Sequence, residues 1–110
     1  GSTGLGVFEA ARERGVLAIG VDADQWGEAP GTVLTSMVKK VDVAVFKVIQ
    51  DHLAGRLKGG VVELGLAEDG VGYVFDDHNR HLIAPETIAR VEELKARIIR
   101  GDIRVLSTRE

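Results

Sequence analysis

At 110 residues the chain holds one small domain or part of a larger one; two full lobes need roughly 200–300 residues and do not fit. Apolar residues make up 45% and charged residues 28%, which allows both a core and a solvated surface, and a net charge of −3 with Arg and Lys scattered among acids argues against a nucleic-acid partner. The lack of cysteine excludes structural disulfides, thiolate metal sites and cysteine nucleophiles, and no stretch reaches the roughly 18–20 uninterrupted apolar residues of a membrane span.

Taken in order, Thr3 is expected to cap a helix beginning near Leu5, its hydroxyl accepting an orphan backbone N–H. Val7, Ala10 and Ala11 give that helix a small apolar stripe, and Gly15 suits a left-handed stop. The continuous apolar run over 16–21 reads as a strand buried on both faces, ending in Asp22. Residues 25–32, with Gly27, Pro30 and Gly31, read as a loop, and 33–37 as a short second strand. From Lys39 to Leu53 the spacing is helical, with Val41, Ala44, Val45, Val48, Ile49 and Leu53 on one side and Lys47, Gln50 and Asp51 on the other. Four valines make this a modest helix former that tertiary packing must hold, and Gly55 ends it.

Residues 61–66 and 71–75 are strand-like, joined by a turn over 67–70. Pro85 fits a first helical position, and Ile88, Val91, Leu94 and Ile98 recur at helical spacing. Glu93 and Arg97 are set for an i,i+4 pair, Gly101 stops the helix, 103–105 reads as a last short strand, and the tail 107–110 reads as loose. The alternation of helices and strands indicates an α/β layered domain. No signal-peptide pattern opens the chain, and the Gly1-Ser2 start without Met leads us to expect the natural N-terminus elsewhere.

The most informative stretch is Gly20-Val21-Asp22-Ala23-Asp24-Gln25. Open α/β sheets hold ligands at the carboxyl ends of their strands, and an Asp delivered there can accept two hydrogen bonds from neighbouring sugar hydroxyls. The plainer reading of Asp22 and Asp24 is a pair of strand-end acids that close a turn. Lys39 and Lys40, read as the start of a helix, oppose its dipole by a few tenths of a kcal/mol, a cost that invites a functional reason. Gly4 and Gly6 lack the phosphate-loop pattern and read as a glycine-rich turn entering a helix.

Asp76-Asp77-His78-Asn79-Arg80-His81 offers four possible metal ligands, but no helical pattern holds them on one face, and a polar loop is the better reading. His52 falls on the apolar side of its helix, as a packed histidine does. Trp26 could stack a base or anchor its loop, and the balance leans to anchoring. No nucleophile–base pair is visible, and no cofactor or metal is called for.

Three further segments complete a pattern. In order, Gly1-Ser2-Thr3-Gly4-Leu5-Gly6, Ala18-Ile19-Gly20-Val21-Asp22-Ala23-Asp24-Gln25, Pro30-Gly31-Thr32-Val33-Leu34-Thr35-Ser36-Met37, Lys39-Lys40-Val41-Asp42-Val43-Ala44-Val45, Gly59-Gly60-Val61-Val62-Glu63-Leu64-Gly65-Leu66 and Gly70-Val71-Gly72 run nearly end to end. Together they resemble the basic membrane protein family, purine nucleoside receptors that serve ABC transporters as periplasmic binding proteins.

The resemblance implies a partial type I periplasmic-binding-protein fold, a Rossmann-like sheet with flanking helices, completed by self-association. It implies that residues 1–110 are a C-terminal portion, with 1–33 and 66–110 in the second lobe and 34–65 supplying a first-lobe helix and crossover strands. The crossings would fall near 34–36, near 63–66 and soon after.

By the same resemblance Asp22 binds ribose hydroxyls, Lys39 donates to the same sugar, and Thr3 and Gly4 contact the ligand through their turn. Asp24 and Trp26 are further ligand-binding candidates. The implied partners are a purine nucleoside and, for the parent, a transporter permease; the implied location is the periplasm or a cell-surface lipoprotein. The part of the cleft that holds the base would precede Gly1. Two rivals stand beside this non-enzymatic receptor: a structural or interaction module that self-associates without ligand, and a nucleoside-processing enzyme for which no base is evident.

Overall fold

The computed structural model describes residues 2–106; the expectations for Gly1 and for the tail 107–110 lie outside the described residues. Helix α1 spans Thr3–Arg14. Ser2, not Thr3, is its N-cap residue; it is already helical in φ and ψ and makes no side-chain cap. The first turn closes instead through the backbone, Leu5 N–H donating to the Ser2 carbonyl at 3.2 Å. At the other end Gly15 turns left-handed, φ 64°, and its N–H bonds the Ala11 and Arg12 carbonyls, the stop expected of glycine.

Strand β1, Ala18–Asp22, pairs in parallel with β2, Val33–Lys39, and β2 pairs antiparallel with β3, Val71–Tyr73. The sheet order is β1-β2-β3, which makes β2 the central strand and the best buried: Val33 and Ser36 are enclosed. Phe8 from α1 packs with Ala29 and Val33, with Ala18 against them. Burying a side chain of that size stabilises a fold by about 2 kcal/mol, and this small cluster is the core.

Several expectations change here. Strand β1 is not buried on both faces: it has one strand neighbour and α1 on one side, so Ile19 stays 65% exposed. Strand β2 does not stop at Met37 but runs to Lys39, because Lys39 pairs with Val71. Helix α2 accordingly begins two residues later than expected, at Val41–Leu53. None of the α2 residues is buried, so its apolar side, with His52, faces solvent rather than a packed layer.

Residues 61–66 form no strand; Val61 is 93% exposed, and the segment pairs with none of the described strands. Residues 103–105 are likewise irregular. Helix α3, Pro85–Ile99, starts on Pro85 as expected, while Glu93 pairs with Arg90 at 2.5 Å rather than with Arg97. Strand β3 is extended by one further bond, Val74 N–H to the Ser36 carbonyl at 3.0 Å.

Candidate ligand-binding site

Because β1 and β2 are parallel, their carboxyl ends lie side by side. The register sets Asp22 opposite Val38, one residue from Lys39, and the Lys39 Nζ reaches the Asp22 Oδ1 at 2.7 Å. Both side chains are about half exposed, 59% and 53%. The hydrogen bond from Lys39, and then its charge, hold the Asp22 carboxyl below its ordinary value. An exposed pair of this kind contributes little to stability, so its consequence is orientation: a carboxylate and an ammonium are fixed together at the strand ends.

The first turn of α1 faces the same corner. Thr3 and Gly4 line a cleft of about 420 Å³ with Val21, Asp22, Gln25 and Glu28, within the size range of small-molecule sites. A helix N-terminus contributes partial positive charge from its free N–H groups. The cleft thus gathers acceptors from Asp22 and Glu28 beside donors from Thr3, Gln25 and the start of the helix, and Lys39 reaches it through Asp22. This mixture suits a neutral ligand rich in hydroxyls, each of which donates one bond and accepts others.

Of the six residues singled out in the sequence, Thr3, Gly4 and Asp22 share this cleft, and Lys39 is paired to Asp22. Asp24 and Trp26 are placed elsewhere. The Asp24 Oδ1 accepts the Trp26 N–H at 3.1 Å, which is the turn-closing use of an Asp. The Trp26 ring lies on His78, centroids 3.9 Å apart and planes 13° from parallel. Lys40 is occupied by Asp69; it stands at the N-cap position of α2, and Lys39 is a strand residue. The dipole argument for Lys39 therefore does not apply.

Sequence reasoning passed over two residues that build the corner, Ser36 and Gln25, and a third, Asn79, that fixes the turn after β3. The buried Ser36 Oγ accepts the Gln25 N–H at 3.0 Å, and the Gln25 Oε1 accepts the Val21 N–H at 2.8 Å. Asn79 donates from Nδ2 to the Leu34 and Val74 carbonyls, each at 2.9 Å, and accepts the Asp76 N–H at 2.9 Å. Ser36 left one trace, a small polar residue in the middle of a strand; Gln25 closed the most informative stretch but was given no role of its own, and Asn79 sat in a segment read as a polar loop.

The Bmp family, described as ABC transporter substrate-binding protein PnrA-like, matches residues 1–108. The chain belongs to the Bmp family. Among its relatives, the CD4+ T-cell-stimulating antigen of Listeria monocytogenes is 39% identical over 96% of this chain and 33% of its own length. Basic membrane protein D of Borreliella burgdorferi is 45% identical over 71% of this chain and 24% of its own.

A crystal structure of an ABC transporter solute-binding protein from Aeropyrum pernix K1 superposes on 93% of this chain and 36% of its own, with a TM-score of 0.67 and 31% identity. The fold is accordingly a partial periplasmic-binding-protein fold of the α/β class. The Bmp chain spans about a third of the length of the first of these relatives.

Proposed function

We propose that this Bmp chain carries the sugar-contacting part of a purine nucleoside site in the substrate-binding component of an ABC transporter. Asp22 accepts hydrogen bonds from the ribose hydroxyls, Lys39 donates to the same sugar, and Thr3 and Gly4 border it. The observation that carries this reading is the Asp22–Lys39 pair at adjacent strand ends, opening on the cleft that the start of α1 lines. A carboxyl held below its ordinary value stays ionised at neutral pH; it offers acceptors to hydroxyls and is a poor proton acceptor, which favours binding over acid–base catalysis.

The preference for a purine nucleoside rests on the resemblance of the Asp22 and Lys39 segments. In this reading Trp26 anchors its loop on His78, and the base takes its contacts from the opposite lobe. Residues 1–33 and 66–110 belong to the Asp22 lobe and α2 to the other, in keeping with an α2 that buries nothing against this sheet. The partner is the transporter permease, and the parent resides in the periplasm or at the cell surface as a lipoprotein, in keeping with relatives named a basic membrane protein in Borreliella burgdorferi and a lipoprotein in Pyrococcus abyssi.

The test is a guanosine titration followed in the amide NMR spectrum. Saturating shifts around Asp22 and Lys39 are expected, with Asp22→Asn weakening binding about tenfold to a hundredfold, the worth of a charged hydrogen bond. A dispersed spectrum that guanosine does not move overturns the reading.

A second reading, self-association, is favoured by surface. The chain exposes 8358 Å², against about 5,900 Å² for a compact monomer of 11.8 kDa. The difference is of the order that one partner buries in an extensive permanent interface. Light scattering that returns the mass of two or more chains supports it, and a monomeric mass removes it.

A further inference from the structure

Asp22 owes its direction to an unusual backbone. The Ala23 N–H donates to the Val21 carbonyl at 3.0 Å, closing a γ-turn around Asp22, whose φ is +75°. That form of γ-turn is rare and strained, and a strained non-glycine residue persists only where its surroundings over-determine it. The surroundings here are a short chain of bonds: the Ser36 Oγ, inside the sheet, accepts the Gln25 N–H at 3.0 Å, and the Gln25 Oε1 accepts the Val21 N–H at 2.8 Å. Val21 thus has its carbonyl in the turn and its N–H in the clamp.

Gly20 shows how closely the clamp fits. A Cβ at Gly20 would come within 2.5 Å of the Ser36 Oγ and 3.0 Å of both the Gln25 Cβ and Oε1. The clamp closes only over a glycine, and it closes beside the cleft that Gln25 also lines.

We propose that Gln25 is a positioning residue of the ligand site: by tying Val21 to buried Ser36, it holds Asp22 in the left-handed turn that aims its carboxylate at Lys39 and the cleft. The inference rests on the reading of Asp22 as a ligand-binding carboxylate, but the conformation it concerns is measurable without ligand. Gln25→Met keeps length and removes the acceptor; Gln25→Glu keeps the acceptor.

In Gln25→Met the Val21 amide is expected to exchange with solvent at least about tenfold faster, the effect of losing one hydrogen bond. The HN–Hα coupling of Asp22 leaves its wild-type value, and guanosine binds about tenfold more weakly. Gln25→Glu restores the exchange protection and the coupling. Should Gln25→Met unfold, Ser36→Ala cuts the same chain of bonds one step back and is expected to change the Asp22 coupling in the same direction.

A variant that weakens binding while the Asp22 coupling stays unchanged makes Gln25 a direct contact and overturns the proposal. So does a variant that leaves both the coupling and the Val21 exchange as in wild type. If the wild-type chain does not bind guanosine, the nucleoside reading fails, and coupling and exchange still decide the role of Gln25.

Discussion

At the scale of single residues, the proposed site turns on one carboxylate and the groups bonded around it. Asp22 sits at the end of a parallel strand, in a turn a non-glycine residue seldom adopts, with an ammonium at 2.7 Å. Its carboxyl is lowered by the bond from Lys39 and then by the charge of that group. A depressed folded value means that the pair is complete above the ordinary carboxylate range and is lost as pH falls through the lowered value. The Asp22 side-chain carbon shift should therefore titrate below 3.8 in the wild type and return toward it in Lys39→Met. A titration that Lys39→Met leaves in place would break the link between the two residues.

At the level of elements, the joints between strands and loops are polar and specific. Asn79, 2% exposed, ties the turn after β3 to β2 with one hydrogen bond, to the Leu34 carbonyl, and closes the turn itself with two more, to the Val74 carbonyl and from the Asp76 N–H. Removing it leaves the Asp76 N–H without its acceptor and the Leu34 carbonyl without this donor, while the Val74 carbonyl keeps the Thr35 hydroxyl, so Asn79→Ala should cost about 1–3 kcal/mol in denaturant unfolding. Elsewhere, the Tyr73 hydroxyl donates to the Glu92 Oε1 at 2.5 Å and joins β3 to α3. Its pKa is pushed up to about 12, by burial first and by Glu92 second.

A raised folded value gives a contribution that is whole below pH 10 and is lost as pH rises through about 12. Tyr73 is the sole tyrosine, so phenolate absorbance reads it directly. Glu92→Gln should lower the midpoint yet leave it above 10, because burial remains.

These joints also mark how far the sequence could be read. The helices at 3–14 and 85–99 were legible because Gly15 and Pro85 punctuate them, and Asp22 was legible because an apolar run ends on it. The strand expected over 61–66 failed for the opposite reason: its alternation is real, but a strand requires a neighbour, and no local pattern tells whether one exists. Lys39 was assigned to a helix because the apolar periodicity of α2 fits it equally well; pairing with Val71, a residue 32 positions away, decided otherwise. Gln25 and Asn79 act through backbone groups distant in sequence, and such bonds leave no periodicity.

As a whole the molecule is open. Its radius of gyration is 16.7 Å, against about 13 Å for a compact chain of this length, and its core is a handful of residues around Phe8 and Val33. The sheet and α1 form one packed unit; α2 is joined to it through the strand end at Lys39 and returns through residues 54–64, which form no regular element. Since no α2 residue is fully buried, its loss would cost the sheet little. Unfolding is then not a single all-or-none event, and the calorimetric and van't Hoff enthalpies should disagree. A melting temperature measured on this chain alone averages unlike transitions, and cooperativity, more than stability, is the property that a covering partner would restore.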